Sequence, residues 1–261
     1  MEPLADFGYV GFTTRFPQAY APARETGSPV VKTLTYGNVA VIQLDGNDLS
    51  AELDDNNGYT GGKQTAWLVK KLAEYRSPGS GIDFIVVGFH NCAYSSNTTH
   101  GSDGGIRLAW DPIFDKYGVD LVVNGHVHAY ERTNPVKGGQ VTKTVPSGGW
   151  YGSTTGGGDP ANAAGDPLIW EFTGSNTATG GTGATEDITD PVAGYSAYRK
   201  ANWSFITLDV KAPLFPGGET SVLIRAIDPT QSGNRITSIA SPAVMESVTL
   251  VRRSGAPHLF F

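Results

Sequence analysis

Four of the five histidines in this 261-residue chain, His90, His100, His126 and His128, fall between residues 90 and 128. Neutral imidazole is a common ligand for zinc, iron, manganese and copper. In Gly125-His126-Val127-His128, two histidines spaced two apart can serve two neighbouring ions, and Gly125 permits a tight exit from a preceding strand. Two ions roughly 3.5–4 Å apart can clamp a phosphoryl group and activate a hydroxide against it. Other polar clusters read more plainly. Asp45-Gly46-Asn47-Asp48 looks like a polar turn closing a strand. Gly156-Gly157-Gly158 lacks the Lys and Ser/Thr that complete a phosphate-cradling loop, and His258 stands apart in the C-terminal tail.

The elements that must position these histidines can be read from apolar patterning. Residues 1–30 are rich in Pro, Gly and aromatics without a period, as in an irregular packed segment. Thr33 to Leu44 predicts a hairpin around Gly37-Asn38, with its second strand buried. Trp67, Leu68, Leu72 and Tyr75 share one face of a helix predicted over 62–76. The apolar run Ile82–Phe89 predicts a strand buried on both faces, ending at His90. A helix over 105–117 with Gly118 as its C-cap follows, then a strand over 119–123 that ends at the Gly125-His126-Val127-His128 segment. If the two strands are parallel neighbours, their carboxyl ends bring His90 and His126 side by side, where α/β proteins place their sites. Residues 138–195 are Gly-, Thr- and Asn-rich and read as long loops. Trp203–Val210, Ser221–Ile227 and Ser247–Val251 read as strands of an antiparallel sheet.

Composition excludes several classes. A net charge of -6 and a pI near 5.3 argue against a nucleic-acid scaffold binder. There is no basic cluster for an anionic membrane surface and no apolar run of the roughly 20 residues a span needs. Cys92 is the single cysteine, which removes intrachain disulfides and cysteine-based zinc sites. The first residues lack the basic start and apolar stretch of a signal peptide.

Gly125-His126-Val127-His128-Ala129-Tyr130-Glu131-Arg132 resembles the GHVHAYER motif of purple acid phosphatases, in the calcineurin-like metallophosphoesterase superfamily. His90-Asn91-Cys92-Ala93-Tyr94-Ser95-Ser96 is similar to that family's H-x-x-x-Y-S block, and Arg107 through Val123 follows its Arg, Trp-x-Pro, Tyr and VDLV pattern. The likeness covers residues 33–136. It implies an α/β fold, a layered αββα sandwich of the metallophosphoesterase type. It also implies a centre of two metal ions, iron with zinc, manganese or a second iron, whose bound hydroxide attacks a phosphate ester. By the same resemblance, His90 and His126 would bind the second, divalent ion and His128 the first, while His100 would touch the phosphate and protonate the leaving group. Tyr94, Glu131 and Arg132 would shape the site.

The family pattern has earlier blocks that supply an Asp on the first metal, a bridging Asp, a Tyr on iron, an Asn on the second metal and a substrate-binding His. They precede the 33–44 hairpin in the family, and none is present in residues 1–32. The expectation is therefore one metallophosphoesterase domain over 1–261, incomplete at its N-terminus, with motifs at 33–136, Gly-rich loops at 138–195 and C-terminal strands at 203–251. Such a chain would bind metal partially and catalyse weakly or not at all. The alternative is a non-catalytic remnant, a metal-binding or interaction module that self-associates through an uncovered sheet. A secreted or periplasmic location is implied for a full-length parent.

Overall fold

The computed structural model describes residues 9–15, 22–53, 57–98, 101–152, 171–173, 191–200, 204–212, 218–232 and 235–253. His100, the Gly156–Gly158 run and His258 lie outside them.

The N-terminal stretch is less irregular than its composition suggests, with helices α1 (Tyr9–Arg15) and α2 (Ala23–Thr26). The hairpin follows as expected: β1 (Lys32–Tyr36) pairs antiparallel with β2 (Val39–Gln43), and Gly37 takes the positive φ its turn requires. Helix α3 (Lys63–Tyr75) buries the anticipated stripe of Trp67, Leu68, Leu72 and Tyr75. Each buried leucine there contributes roughly 1.5–3 kcal/mol. Strand β3 (Phe84–Gly88) is next, then helix α4 (Gly104–Tyr117), which Gly118 closes in the left-handed conformation. At its other end the Asp103 carboxylate accepts a hydrogen bond from Ile106 N at 3.0 Å, an N-cap that satisfies one of the helix's orphan amides. Strand β4 (Leu121–Asn124) lies parallel to β3, and β3 parallel to β2. Strand, helix, strand is the arrangement that the apolar runs predicted.

The rest is strand-rich: β5 (Tyr130–Thr133), β6 (Val136–Lys137), β7 (Gln140–Val141), β8 (Trp150–Gly152), β9 (Glu171–Thr173), β10 (Ser196–Lys200), β11 (Phe205–Lys211), β12 (Glu219–Ser232) and β13 (Arg235–Arg253). One sheet has the order β1-β2-β3-β4-β9-β5-β10 and a second the order β11-β12-β13-β8. Strand β9 corrects the reading of 138–195 as loops throughout: Glu171-Phe172-Thr173 completes the first sheet between β4 and β5. Three residues are too short for a period-2 signal.

Helices α3 and α4 cover one face of the seven-stranded sheet, where Trp67, Leu68, Leu72, Ile106, Trp110 and Phe114 pack with Ile42, Ile85, Val87 and Val122. On its other face Val39, Phe84, Val86, Leu121 and Tyr130 meet Val222, Ile224, Ala226, Val248 and Leu250 of the four-stranded sheet. The layering is thus helix, sheet, sheet. The second helical layer of an αββα sandwich is not formed by the described residues, so the mixed α/β fold is an incomplete sandwich.

One buried acid on α4 has a measurable consequence. Tyr94 donates its hydroxyl to Asp111 Oδ2 at 2.6 Å, while Asp111 Oδ1 is buried with no hydrogen-bond donor. Burial pushes the Asp111 carboxyl up to about 6, against the opposing effects of Tyr94 and Arg107. A raised acid binds its proton more tightly in the folded state. Its stabilising share is complete below the ordinary carboxylate range, near 4, and is lost as pH rises through about 6. Asp111→Asn should therefore be more stable than the parent at pH 7.5 by about 1–2 kcal/mol, with the advantage gone by pH 4. Urea unfolding of both proteins across that range checks it; identical pH profiles would refute the assignment.

Candidate metal centre

Strand β3 delivers His90 just past its carboxyl end, and the ladder continues there. Phe89 N donates to Val123 O at 3.2 Å and Gly125 N to His90 O at 2.9 Å. Asn124, last in β4, donates its side-chain amide to Phe89 O (3.4 Å) and Asn91 O (3.1 Å), fixing the two exits against each other. The expected neighbourhood of His90 and His126 is therefore built by parallel pairing and then locked by an amide.

The exit from β4 is sharper than Gly125 alone would make it. Val127 N donates to Gly125 O at 2.8 Å, closing a three-residue turn whose middle residue, His126, has a φ of 71°. That is the γ-turn of positive φ, the rare and strained form. Among the described residues His126 is the one non-glycine with positive φ. Such strain costs on the order of 1–3 kcal/mol and persists where surrounding structure over-determines it, most often at functional sites. The strain falls on the histidine itself, not on the glycine that the sequence offered for it.

The turn aims the His126 ring at His90. Nδ1 of His126 stands 3.2 Å from Nε2 of His90, with the ring planes at 76°. Zinc–nitrogen bonds are about 2.0–2.1 Å, so two nitrogens in neighbouring positions on one ion are about 2.9–3.4 Å apart. The pair fits two ligand positions of a single divalent ion. His128 lies two residues on and is half-buried; Val127 between them is buried with Cys92 and Ala129. Among the described residues no three His, Cys, Asp or Glu side chains converge tightly enough to hold an ion. The described residues thus bring two imidazole nitrogens together, short of a closed site. A cleft of about 410 Å³ opens beside His90, walled by Leu44, Gly46, Asn47 and Phe89 among others.

Tyr94, Glu131 and Arg132, the residues expected to shape the site, each hold a neighbouring element. Tyr94 engages Asp111 on α4. Glu131, 3% exposed, accepts from Ser96 N at 2.8 Å and from the Ser96 hydroxyl, pinning the loop that follows His90. Arg132 reaches Glu246 in the other sheet. Asp45 and Asp48 are occupied structurally, in keeping with a polar turn. Asp45 Oδ2 accepts from Tyr9 (2.6 Å), Tyr59 (2.6 Å) and Ser28 (2.8 Å), and Asp48 from Thr60 and Gln64. Burial, reinforced by Asp45, pushes both tyrosine hydroxyls far above their ordinary range.

One residue at the site carried no signal in the sequence. Glu52 Oε2 stands 2.6 Å from His126 Nε2, on the opposite side of the ring from His90. It sits in a polar loop without periodicity, and only the fold brings it to β4.

No protein-family model matches the chain. An uncharacterized protein of Mycobacterium tuberculosis is 42% identical over 136 residues, 49% of this chain and 26% of that protein. A purple acid phosphatase of Glycine max is 30% identical over 202 residues, 76% of this chain and 38% of that enzyme. The solved structure of a purple acid phosphatase from yellow lupin (Lupinus luteus) seeds superposes with a TM-score of 0.59 at 18% identity, covering 90% of this chain and 34% of that one. The chain therefore spans between a quarter and two-fifths of these relatives. It is a distant homologue of the purple acid phosphatases, in the metallophosphoesterase superfamily, over part of their length.

Proposed function

We propose that this chain carries the histidine half of a metal-dependent phosphoester hydrolase centre. The observation that supports it is the close approach of His90 Nε2 and His126 Nδ1 at 3.2 Å, held by a strained turn at the carboxyl ends of two parallel strands. In this reading His90 and His126 hold one divalent ion and His128 serves a second. When bound, two such ions supply Lewis acidity and a nucleophile for in-line displacement at phosphorus. The cleft beside His90 receives the phosphate ester, a phosphomonoester in the first instance. His100 gives its proton to the leaving oxygen, so the activity has an acidic optimum.

The carboxylates of the family's earlier blocks are absent from these 261 residues. A second reading therefore stands beside the first: a metal-binding module without catalysis, favoured by the lack of a three-ligand cluster among the described residues.

The test is zinc or manganese binding by equilibrium dialysis, paired with hydrolysis of p-nitrophenyl phosphate. At least one ion should bind, and His90→Ala or His126→Ala should weaken it tenfold or more. Metal-dependent turnover that falls in His100→Ala selects the hydrolase, whereas binding without turnover selects the module. Binding that neither His90→Ala nor His126→Ala alters would overturn both.

A further inference from the structure

Strand β1 is an edge of the seven-stranded sheet, and its two faces are treated differently. Thr33 turns toward the helices, where its hydroxyl donates to Val41 O at 3.1 Å and meets Tyr75 Oη at 2.6 Å. Leu34 and Tyr36 turn to the opposite face, yet stay 49% and 80% exposed. The four-stranded sheet covers Val39 on that face and stops short of them. The other edges of the two large sheets are blunted. Strand β10 has a bulge between Ser196 and Tyr198 and carries Arg199 and Lys200. Strand β8 has only three residues, and β11 exposes Asp209 and Lys211. Strand β1 pairs with β2 in unbroken register and holds no proline. Among the described residues nothing pairs with its outer edge.

The ladder decides which backbone groups that edge offers. Asn38 O accepts from Asp83 N and Leu44 N donates to Gly88 O, so the even-numbered residues of β2 point at β3. Its odd-numbered residues therefore point at β1 and bond their register partners Lys32, Leu34 and Tyr36. The N–H and C=O groups of Thr33 and Thr35 are left directed outward. We propose that β1 joins two copies of this chain, antiparallel about a two-fold axis at Leu34, the middle of its five residues. Thr33 then exchanges hydrogen bonds with the partner's Thr35, and symmetry repeats the pair. Leu34 meets the partner's Leu34 at the closer, non-hydrogen-bonded spacing. Lys32 lies against the ring of the partner's Tyr36, and no like charges are opposed. A slip of one residue would set outward groups against inward ones, so the register is specified. The partner's Tyr36 also continues the row of Lys32, Gln43 and Gly88. It lengthens the wall of the cleft beside His90, to which Gln43 belongs.

The experiment is sedimentation velocity of the full chain over a wide concentration range, with Thr35→Pro and Leu34→Cys variants. Proline at 35 removes an outward N–H and no bond to β2, the one kind of strand position that tolerates it. The parent should sediment as a monomer–dimer equilibrium, and Thr35→Pro should weaken it about 10–100-fold while circular dichroism stays that of the parent. Leu34→Cys places two thiols across the axis, near enough to bridge with a small adjustment, so mild oxidation should link it into dimers. Cys92 does not compete, being the single native thiol and fully buried. Leu108→Cys, at an exposed site on α4, is the control that should link far more slowly. A parent that is monomeric at every concentration overturns the proposal. So does a dimer that Thr35→Pro leaves intact, or a Leu34→Cys that links no faster than Leu108→Cys; either places the contact elsewhere. Should Thr35→Pro unfold, the comparison of the two cysteine variants decides alone.

Discussion

Replacing Glu246 by alanine is expected to destabilise the fold by about 3–5 kcal/mol, as breaking one side of a buried ion pair commonly does. Arg132 is fully buried at 0% exposure and Glu246 nearly so at 3%. The guanidinium donates from Nε to Glu246 Oε1 at 2.8 Å and from Nη2 to Oε2 at 3.1 Å, and Nη2 also donates to Val145 O at 3.0 Å. Tyr130 adds its hydroxyl to the same carboxylate at 2.7 Å. Arg132 lies on β5 of one sheet and Glu246 on β13 of the other, so the pair bridges the two layers. Alanine at 246 leaves a cation in a dry interface and a tyrosine hydroxyl without its acceptor. An apolar pair, Arg132→Met with Glu246→Leu, should recover much of the loss, because desolvating the ions cost nearly what their attraction returns. Urea unfolding of the single and double variants checks it. A Glu246→Ala loss below about 1 kcal/mol would show that water already screens this pair.

The second large effect falls on a glycine that local rules would call replaceable. Gly105 is the second residue of α4, where alanine ordinarily favours a helix by up to about 1 kcal/mol. Here an added Cβ would stand 2.0 Å from the Leu49 carbonyl oxygen and 3.3 Å from Ala51 N, so the backbone of the 49–53 loop must move. Gly105→Ala should lose about 2–3 kcal/mol of stability, typical of overpacking. Gly104→Ala is the matched control: nothing lies within 4 Å of its Cβ, so it should be neutral or slightly stabilising. Thermal melts compare the two. Equal behaviour would mean that the loop adapts without cost.

Much of this site could be read from the chain because its main parts follow strong patterns. Ile82–Phe89 and Val119–Val123 are apolar runs with a helical period between them, so parallel pairing of β3 and β4, and the meeting of His90 with His126, could be anticipated. The Gly118 cap and the Gly37 turn were equally plain, since positive φ calls for glycine. What escaped was set by tertiary contact. Nothing in the composition of the 49–53 loop tells that Asp103 fastens it, or that Glu52 reaches His126. Strands β5 and β9 are four and three residues long, too brief for alternation to show. The positive φ of His126 defied the local rule, which assigns the sharp exit to Gly125. A departure of that kind is expected where function constrains the backbone.

In the proposed reading, His90 and His126 are neighbouring ligands of one ion. Zinc K-edge X-ray absorption of the chain with one equivalent of zinc tests it most directly. Two imidazole nitrogens are expected at about 2.0–2.1 Å, with one lost in His90→Ala and one in His126→Ala. A zinc shell of oxygen alone, or an imidazole count that neither substitution changes, would contradict it.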